Sequence, residues 1–216
     1  KKIAKIVTPD KTIFDESISD YSLDSISNLK RGRLRVFYKG VVFEGLFEPC
    51  ESEYLCVSLS SAGMRKVYPS FTRWSWARLF SCNFLCIEDP MYDEHNTHYP
   101  LWYYGTNNIN YLDLLIDIVL KVAEKLSIDK AKIVFLGSSA GGHGALYCSA
   151  KMQGSIALAM APQLRLSVYP GNKYLKNIVD LKKGRCILHL PFFKKRMRQY
   201  IGISCSILYT RDMEKT

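Results

Sequence analysis

Long apolar runs are missing from this 216-residue sequence. No stretch approaches the roughly 18–20 apolar residues with which a helix crosses a bilayer, so we expect no membrane span. The start of the chain is basic but lacks the apolar segment and the cleavage site of a signal peptide. Together these absences favour a cytoplasmic protein.

Metal-ligand spacings are also missing. The seven cysteines include no Cys-x-x-Cys pair, and the four histidines do not share ligand spacing with them. We therefore expect no metal and no cofactor. Several cysteines fall inside apolar runs, which favours buried, reduced thiols.

Acidic residues are few relative to basic ones: 30 Lys and Arg against 20 Asp and Glu give a formal charge of +10. Much of the excess lies at Lys182-Lys183, at 194–196 and at Arg198. This segment is either a solvated basic face or a surface that attracts an anionic partner, such as acidic polysaccharide or lipid headgroups. No nucleic-acid-binding module accompanies it, so we expect no nucleic acid.

Short apolar strands alternate with helical patterns along the chain. A hairpin is predicted for 33–38 and 41–47, around Lys39-Gly40. Further strands are predicted at 54–60, 83–87, 131–136, 155–161 and 203–209, and helices at 68–80, 110–126 and 143–152. The pattern predicts an α/β fold: a mainly parallel central sheet with helices on both faces and an antiparallel edge hairpin. We assign residues 1–30 to an N-terminal extension and 31–216 to one domain.

The most informative motif follows the predicted strand at 131–136. It reads Gly137-Ser138-Ser139-Ala140-Gly141, and a helical pattern comes next. In the order strand, turn, helix, Gly-x-Ser-x-Gly is typical of a nucleophile elbow, which projects the serine hydroxyl above the sheet. The flanking glycines permit close approach of strand and helix. The first helical amide, that of Ala140, can then stabilise an oxyanion.

Two other interpretations of this motif stay open. It could be a Gly/Ser-rich turn of an ordinary doubly wound protein. A phosphate-binding loop is weaker, because no lysine follows the last glycine.

The order of motifs resembles the α/β-hydrolase superfamily. Within it, the chain is similar to bacterial capsular-polysaccharide biosynthesis hydrolase-like proteins and to the glycan O-acetyltransferase of the accessory Sec system. The resemblance covers residues 34–212. It rests on the elbow and on Leu-Ser-Ser-Ala-Gly at 59–63, Phe-Thr-Arg-Trp-Ser-Trp at 71–76, Asp89-Pro90 with Trp-Tyr-Tyr-Gly at 102–105, and Ala-Pro-Gln at 161–163.

This resemblance implies roles for individual residues. Ser139 is the expected nucleophile, and the loop at Ala62 and Gly63 the expected source of the second oxyanion amide. Asp212, after the last predicted strand, fits the acid of a catalytic triad, although it could equally be an Asp in a surface turn.

The catalytic base does not fit the family pattern. These hydrolases place the histidine after the acid, and no histidine follows Asp212. We therefore expect the chain to lack its C-terminal end and the catalytic histidine to lie there. His143 and His189 fit packed positions, whereas His95 and His98 lie in an aromatic loop where either could touch substrate.

The aromatic segments are either core or the lining of a sugar-binding mouth. Arg65 and Arg73 could bind a carboxylate or phosphate there. The predicted substrate-binding residues are Arg65, His98 and Trp102.

The sequence thus predicts a serine-dependent acyl-transfer enzyme, an esterase or an O-acetyltransferase, which acts on a glycan or capsular polysaccharide ester. The alternative is a non-catalytic hydrolase-like protein that binds glycan or a partner in an export complex.

Overall fold

The computed structural model describes residues 17–26, 29–61, 69–95, 99 and 101–179. In this part of the chain, seven strands form one sheet: β1 (Ser19–Ser22), β2 (Gly32–Tyr38), β3 (Val41–Glu48), β4 (Leu55–Leu59), β5 (Asn83–Ile87), β6 (Ile133–Ser138) and β7 (Ile156–Met160). The α-helices are α1 (Met91–Glu94), α2 (Tyr111–Lys125), α3 (Ala140–Lys151) and α4 (Lys173–Ile178). Within the described ranges, 3-10 helices also occupy Trp74–Arg78, Lys130–Lys132, Leu166–Val168 and Pro170–Asn172.

The sheet has the order β1-β2-β3-β5-β4-β6-β7. Strands β5, β4, β6 and β7 are parallel, and β3 joins them antiparallel through β5. The predicted mainly parallel sheet with an antiparallel hairpin is confirmed. Strands β2 and β3 form that hairpin, and positive φ angles of 50° at Lys39 and 77° at Gly40 suit its tight turn. Strand β1 pairs parallel to β2 outside the hairpin, so the hairpin is not the outermost element.

Apolar side chains are buried on both faces of the sheet. The larger cluster joins the sheet to α2, α3 and α4, and it includes Leu115, Phe135 and Leu175. Helix α2 presents its apolar stripe to this core, and the Asn110 side chain caps it by accepting a hydrogen bond from the Leu112 amide at 2.9 Å. A smaller cluster on the other face lies under the 3-10 helix Trp74–Arg78.

One predicted helix is wrong. The aromatic segment 68–80 forms only the 3-10 helix Trp74–Arg78 among its described residues. Phe71 and Arg73 have φ angles of 43° and 66°, and left-handed residues cannot continue a right-handed helix. Helix α1 lies at the start of the predicted aromatic loop that contains His95, so part of that loop is helical.

None of the helices in the described part of the chain combines the length and apolar composition that a membrane crossing requires. The described cysteines are free thiols, and Cys56, Cys86 and Cys148 are buried, as the sequence predicts. No three His, Cys, Asp or Glu side chains within the described ranges could share a metal ion. The predicted strand at 203–209 and the basic segment that begins at Lys182 lie outside the described residues.

Candidate active site

The carboxyl ends of the parallel strands meet at one edge of the sheet. In the strand register, Leu59 of β4 lies beside Gly137 of β6 and Ile87 of β5. Ser138, the last residue of β6, lies beside Met160, the last residue of β7. The segments that follow these strands therefore leave the sheet together, at the edge where open α/β sheets bind ligands.

Ser139 lies at this edge, in the turn between β6 and α3. Its φ of 52° and ψ of −119° are a conformation that side-chain-bearing residues seldom adopt, and such a residue costs about 1–3 kcal/mol. Hydrogen bonds hold the turn: the Ser139 amide donates to the Met160 carbonyl at 2.9 Å, and the Ser139 carbonyl accepts from the His143 amide at 3.0 Å. The strand–turn–helix context that the sequence predicts for Ser139 is present.

The two motif glycines allow β6 and α3 to approach each other. A Cβ on Gly137 would lie 2.2 Å from the Gly141 carbonyl carbon and oxygen. A Cβ on Gly141 would lie 2.4 Å from the Leu59 carbonyl oxygen at the end of β4. Both contacts are with backbone atoms, which cannot rotate away, so any side chain at either position would push the elbow out of place.

The Ser139 hydroxyl contacts the amide side chain of Gln163. The Gln163 Nε2 donates to the Ser139 Oγ at 3.0 Å, and the Gln163 Oε1 lies 3.3 Å from the same oxygen. Trp102 donates its ring N–H to Oε1 at 3.1 Å. His143 Nδ1 lies 2.6 Å from the Gln163 backbone oxygen. Gln163 is thus held at three points, one of which is the serine hydroxyl.

No family model and no curated protein matches this chain. Solved structures do match it. The capsule O-acetyltransferase of Neisseria meningitidis serogroup A is 20% identical with a TM-score of 0.52, over 74% of this chain and 59% of that one. An S-formylglutathione hydrolase from Agrobacterium tumefaciens is 15% identical with a TM-score of 0.52, over 73% of this chain and 66% of that one. The glycosylation-associated protein (Gap123) complex from Streptococcus agalactiae is 21% identical with a TM-score of 0.51, over 61% of this chain and 24% of that one.

This chain has an α/β-hydrolase-like fold. The resemblance seen in the sequence is therefore confirmed at the level of the fold. The matched region spans about a quarter of the Gap123 chain and about three fifths of the O-acetyltransferase chain.

The predicted oxyanion donors lie only partly within the described residues. Ala140 is the first residue of α3, and an amide in the first helical turn has no acceptor within its own helix. The chain that leaves β4 lies against the same turn, because a Cβ on Gly141 would be 2.8 Å from the Ser60 oxygen. Ala62 and Gly63 lie outside the described residues, so the oxyanion hole stays a prediction.

The predicted substrate-binding residues are described only at Trp102. Arg65 and His98, and the predicted acid Asp212, lie outside the described residues. Trp102 is fully buried with a φ of 56°, and its ring packs edge-on against Tyr169 at 5.7 Å. Trp102 is linked to the Ser139 hydroxyl through Gln163, and its contact with substrate stays a prediction.

His143 is a packed residue, as the sequence predicts. It is 1% exposed, and burial lowers the pKa of its imidazole from 6.5 to about 4. The ring is therefore neutral at pH 7, with the proton on Nδ1 directed at the Gln163 carbonyl. His95, at the end of α1, accepts a hydrogen bond at its carbonyl from the Tyr174 hydroxyl at 3.4 Å.

Two polar residues at this edge were not singled out as site residues from the sequence. Gln163 follows β7, and the fully buried Glu88 follows β5 and accepts a hydrogen bond from the Ser60 hydroxyl at 2.5 Å. Glu88 comes directly after one predicted strand, and Gln163 comes two residues after the end of another. Polar side chains at the carboxyl ends of parallel strands are the signal that could have identified them.

Proposed function

We propose that this chain is a serine-dependent acyl-transfer enzyme, an esterase or an O-acetyltransferase, with Ser139 as the nucleophile. The observation that carries the proposal is the backbone of Ser139. Its strained φ of 52° is maintained by hydrogen bonds at both ends of the turn, and it lies directly before the N-terminus of α3. Strain held in this way at a strand-to-helix turn is typical of a serine nucleophile.

The proposed reaction has two stages. The Ser139 Oγ attacks the ester carbonyl carbon while its proton passes to a general base, and the resulting oxyanion takes hydrogen bonds from Ala140 and the loop after β4. The alcohol leaves with a proton and an acyl-enzyme remains. Water or a sugar hydroxyl then attacks the acyl carbon and releases Ser139. Attack by water gives an esterase, and attack by a sugar hydroxyl gives an O-acetyltransferase.

The general base is part of the proposal. No histidine in the described part of the chain hydrogen-bonds to the Ser139 hydroxyl, and buried His143 bonds to a backbone carbonyl instead. We propose a histidine as this base, with Asp212 as its acid partner, because the superfamily uses a serine, an acid and a histidine.

The proposed substrate is a glycan or capsular polysaccharide ester. The structural likeness to a capsule O-acetyltransferase supports this class, with acetyl as the acyl group. A second candidate is a non-catalytic protein that binds glycan or a partner in an export complex. The likeness to a chain of the Gap123 complex supports that candidate, as does the Gln163 amide that already satisfies the Ser139 hydroxyl.

Burst kinetics separate the two candidates. The full-length protein is mixed with p-nitrophenyl acetate, and p-nitrophenol release is followed in stopped flow. An acyl-enzyme predicts a burst equal to the enzyme concentration. Ser139→Ala should abolish it, whereas Ser149→Ala, which removes a hydroxyl farther along α3, should retain it. The absence of a burst and of steady turnover in the folded protein would favour the binding function.

A further inference from the structure

Arg73 lies beside the elbow without contributing to the chemistry described above. Its Nη2 donates to the Ser138 Oγ at 2.5 Å, one residue before the proposed nucleophile. Its guanidinium carbon lies 5.4 Å from the centre of the Trp76 ring, within the range of a cation–π contact. A left-handed backbone, with a φ of 66°, aims the side chain at this position from the start of the 3-10 helix. Such a conformation is uncommon for a long side chain and costs free energy.

Among the described residues, no carboxylate balances the charge of Arg73. Its Nη1 is buried and has no hydrogen-bond partner, and no described carboxylate forms an ion pair with it. The arginines of β2 differ in having carboxylate partners. Arg33 pairs with Glu44, although its Nε is also buried without a hydrogen-bond partner, and Arg35 pairs with Asp20 through two hydrogen bonds.

Because Arg73 is partly buried, the lack of a described carboxylate partner costs free energy. The side chain is half-buried, and desolvation lowers its pKa. The Ser138 hydroxyl, which accepts the hydrogen bond from Arg73, is neutral and cannot balance the charge. A buried guanidinium donor without an acceptor is destabilising, so its presence here calls for a functional explanation.

We propose that Arg73 binds an anionic oxygen group of the substrate, a carboxylate or a phosphate, next to the ester that Ser139 attacks. This inference rests on the proposed function. A guanidinium carries Nη1 and Nη2 side by side in a fork whose geometry matches two oxygens of either anion. The Ser138 hydroxyl can supply a third donor. The site therefore selects esters that carry a negative charge near the acyl group over neutral esters.

Selectivity between two esters tests this in the full-length protein. The pair is p-nitrophenyl acetate, which is neutral, and mono-p-nitrophenyl succinate, which has the same leaving group and an acyl carboxylate. Arg73→Met should lower kcat/KM for the succinate ester by about 10-fold or more, mainly through KM, and change the acetate ester by less than about twofold. For the succinate ester, the kcat/KM of Arg73→Lys should lie between those of the wild type and Arg73→Met, because lysine keeps the charge but lacks the forked guanidinium. Arg78→Met, on the same 3-10 helix, should change neither ester.

Direct binding keeps the test independent of catalysis. In the Ser139→Ala protein, calorimetry with monomethyl succinate and with inorganic phosphate should show binding of one or both. The anion that binds shows whether Arg73 recognises a carboxylate or a phosphate. Adding Arg73→Met should abolish that binding. Equal losses on both esters would show that Arg73 only supports Ser138 and would overturn the proposal. Anion binding that is absent, or unchanged by Arg73→Met, would also overturn it. If anions bind through Arg73 but no ester is turned over, only the proposed reaction fails.

Discussion

At the scale of single residues, the site is organised around Gln163. Its side chain contacts the Ser139 hydroxyl, its Oε1 accepts from Trp102, and its carbonyl meets His143. Each of these contacts restricts Gln163, and Gln163 in turn restricts the rotamer of the proposed nucleophile. Fixing a reacting group in one geometry is a recognised source of rate acceleration. If Ser139 is the nucleophile, as we propose, the packed residues around it contribute to its reactivity by orienting its hydroxyl.

Gln163→Ala should lower kcat for p-nitrophenyl acetate by about 5- to 50-fold with little change in KM, because it removes the hydrogen bonds that orient the Ser139 hydroxyl. Trp102→Phe keeps an aromatic ring but loses the N–H donor and part of the buried ring volume, so it should also lower kcat, by a smaller factor than Gln163→Ala. Steady-state kinetics give both values. Gln153→Ala, at an exposed position after α3, is the control, and an equal loss there would refute the positioning role.

His143 should make stability depend on pH. Burial lowers its pKa to about 4 from 6.5, so the unfolded state binds more protons between those values. The contribution of neutral His143 to the free energy of unfolding is fully present above about pH 6.5 and is lost as the pH falls towards 4. From pH 7.5 to 4.5 the wild type should lose about 2–3 kcal/mol more than His143→Gln, whose amide can still donate to the Gln163 carbonyl but does not titrate. Urea unfolding at both pH values measures this difference, and parallel losses in the two proteins would contradict it.

At the scale of elements, the close approach of β4, β6 and α3 sets the position of the elbow. Helix α3 begins with three glycines among its first five residues, and they do not serve the same purpose. A Cβ on Gly141 would lie 2.4 Å from the Leu59 oxygen, whereas a Cβ on Gly142 would meet nothing closer than 3.2 Å. The first contact requires the backbone to move, and the second requires only a small adjustment.

Gly141→Ala should therefore destabilise the protein by about 1–3 kcal/mol through overpacking, and it should also reduce the reactivity of Ser139. Gly142→Ala should cost less, because alanine improves helix propensity by about 1 kcal/mol and offsets the tighter contact. Chemical denaturation compares the two variants. A Gly141→Ala protein as stable as Gly142→Ala would show that the approach of α3 to β4 is looser than the structure indicates.

The elements also show what a sequence can predict. Strand β5 and helix α2 match their predictions because periodicity is a local signal, carried by the residues of the element itself. The segment before Trp74 was predicted wrongly because aromatic composition does not reveal positive φ angles. The contact between Arg73 and Ser138 joins residues 65 positions apart, and only the sheet topology brings them together.

At the scale of the whole molecule, the sheet places four kinds of group at one edge: a strained serine, a helix N-terminus, a glutamine held by buried partners and an arginine that has no carboxylate partner among the described residues. Sequence patterns predicted the first two, because the motif lies within one continuous segment. The sequence also named Arg73 as a residue that could bind an anion, but not its contact with Ser138. The glutamine and the arginine reach the site from other strands and loops. A solved acyltransferase and a solved hydrolase share the fold, and the reactivity of Ser139 decides whether this chain shares their type of chemistry.

Covalent labelling of Ser139 tests that claim most directly. The full-length protein is incubated with a small neutral fluorophosphonate, and intact mass and peptide mapping then locate the adduct. The account predicts one adduct per chain, on the peptide that contains Ser139, which disappears in Ser139→Ala and persists in Ser149→Ala. A folded protein that takes up no label, or one whose label is unaffected by Ser139→Ala, would contradict the account.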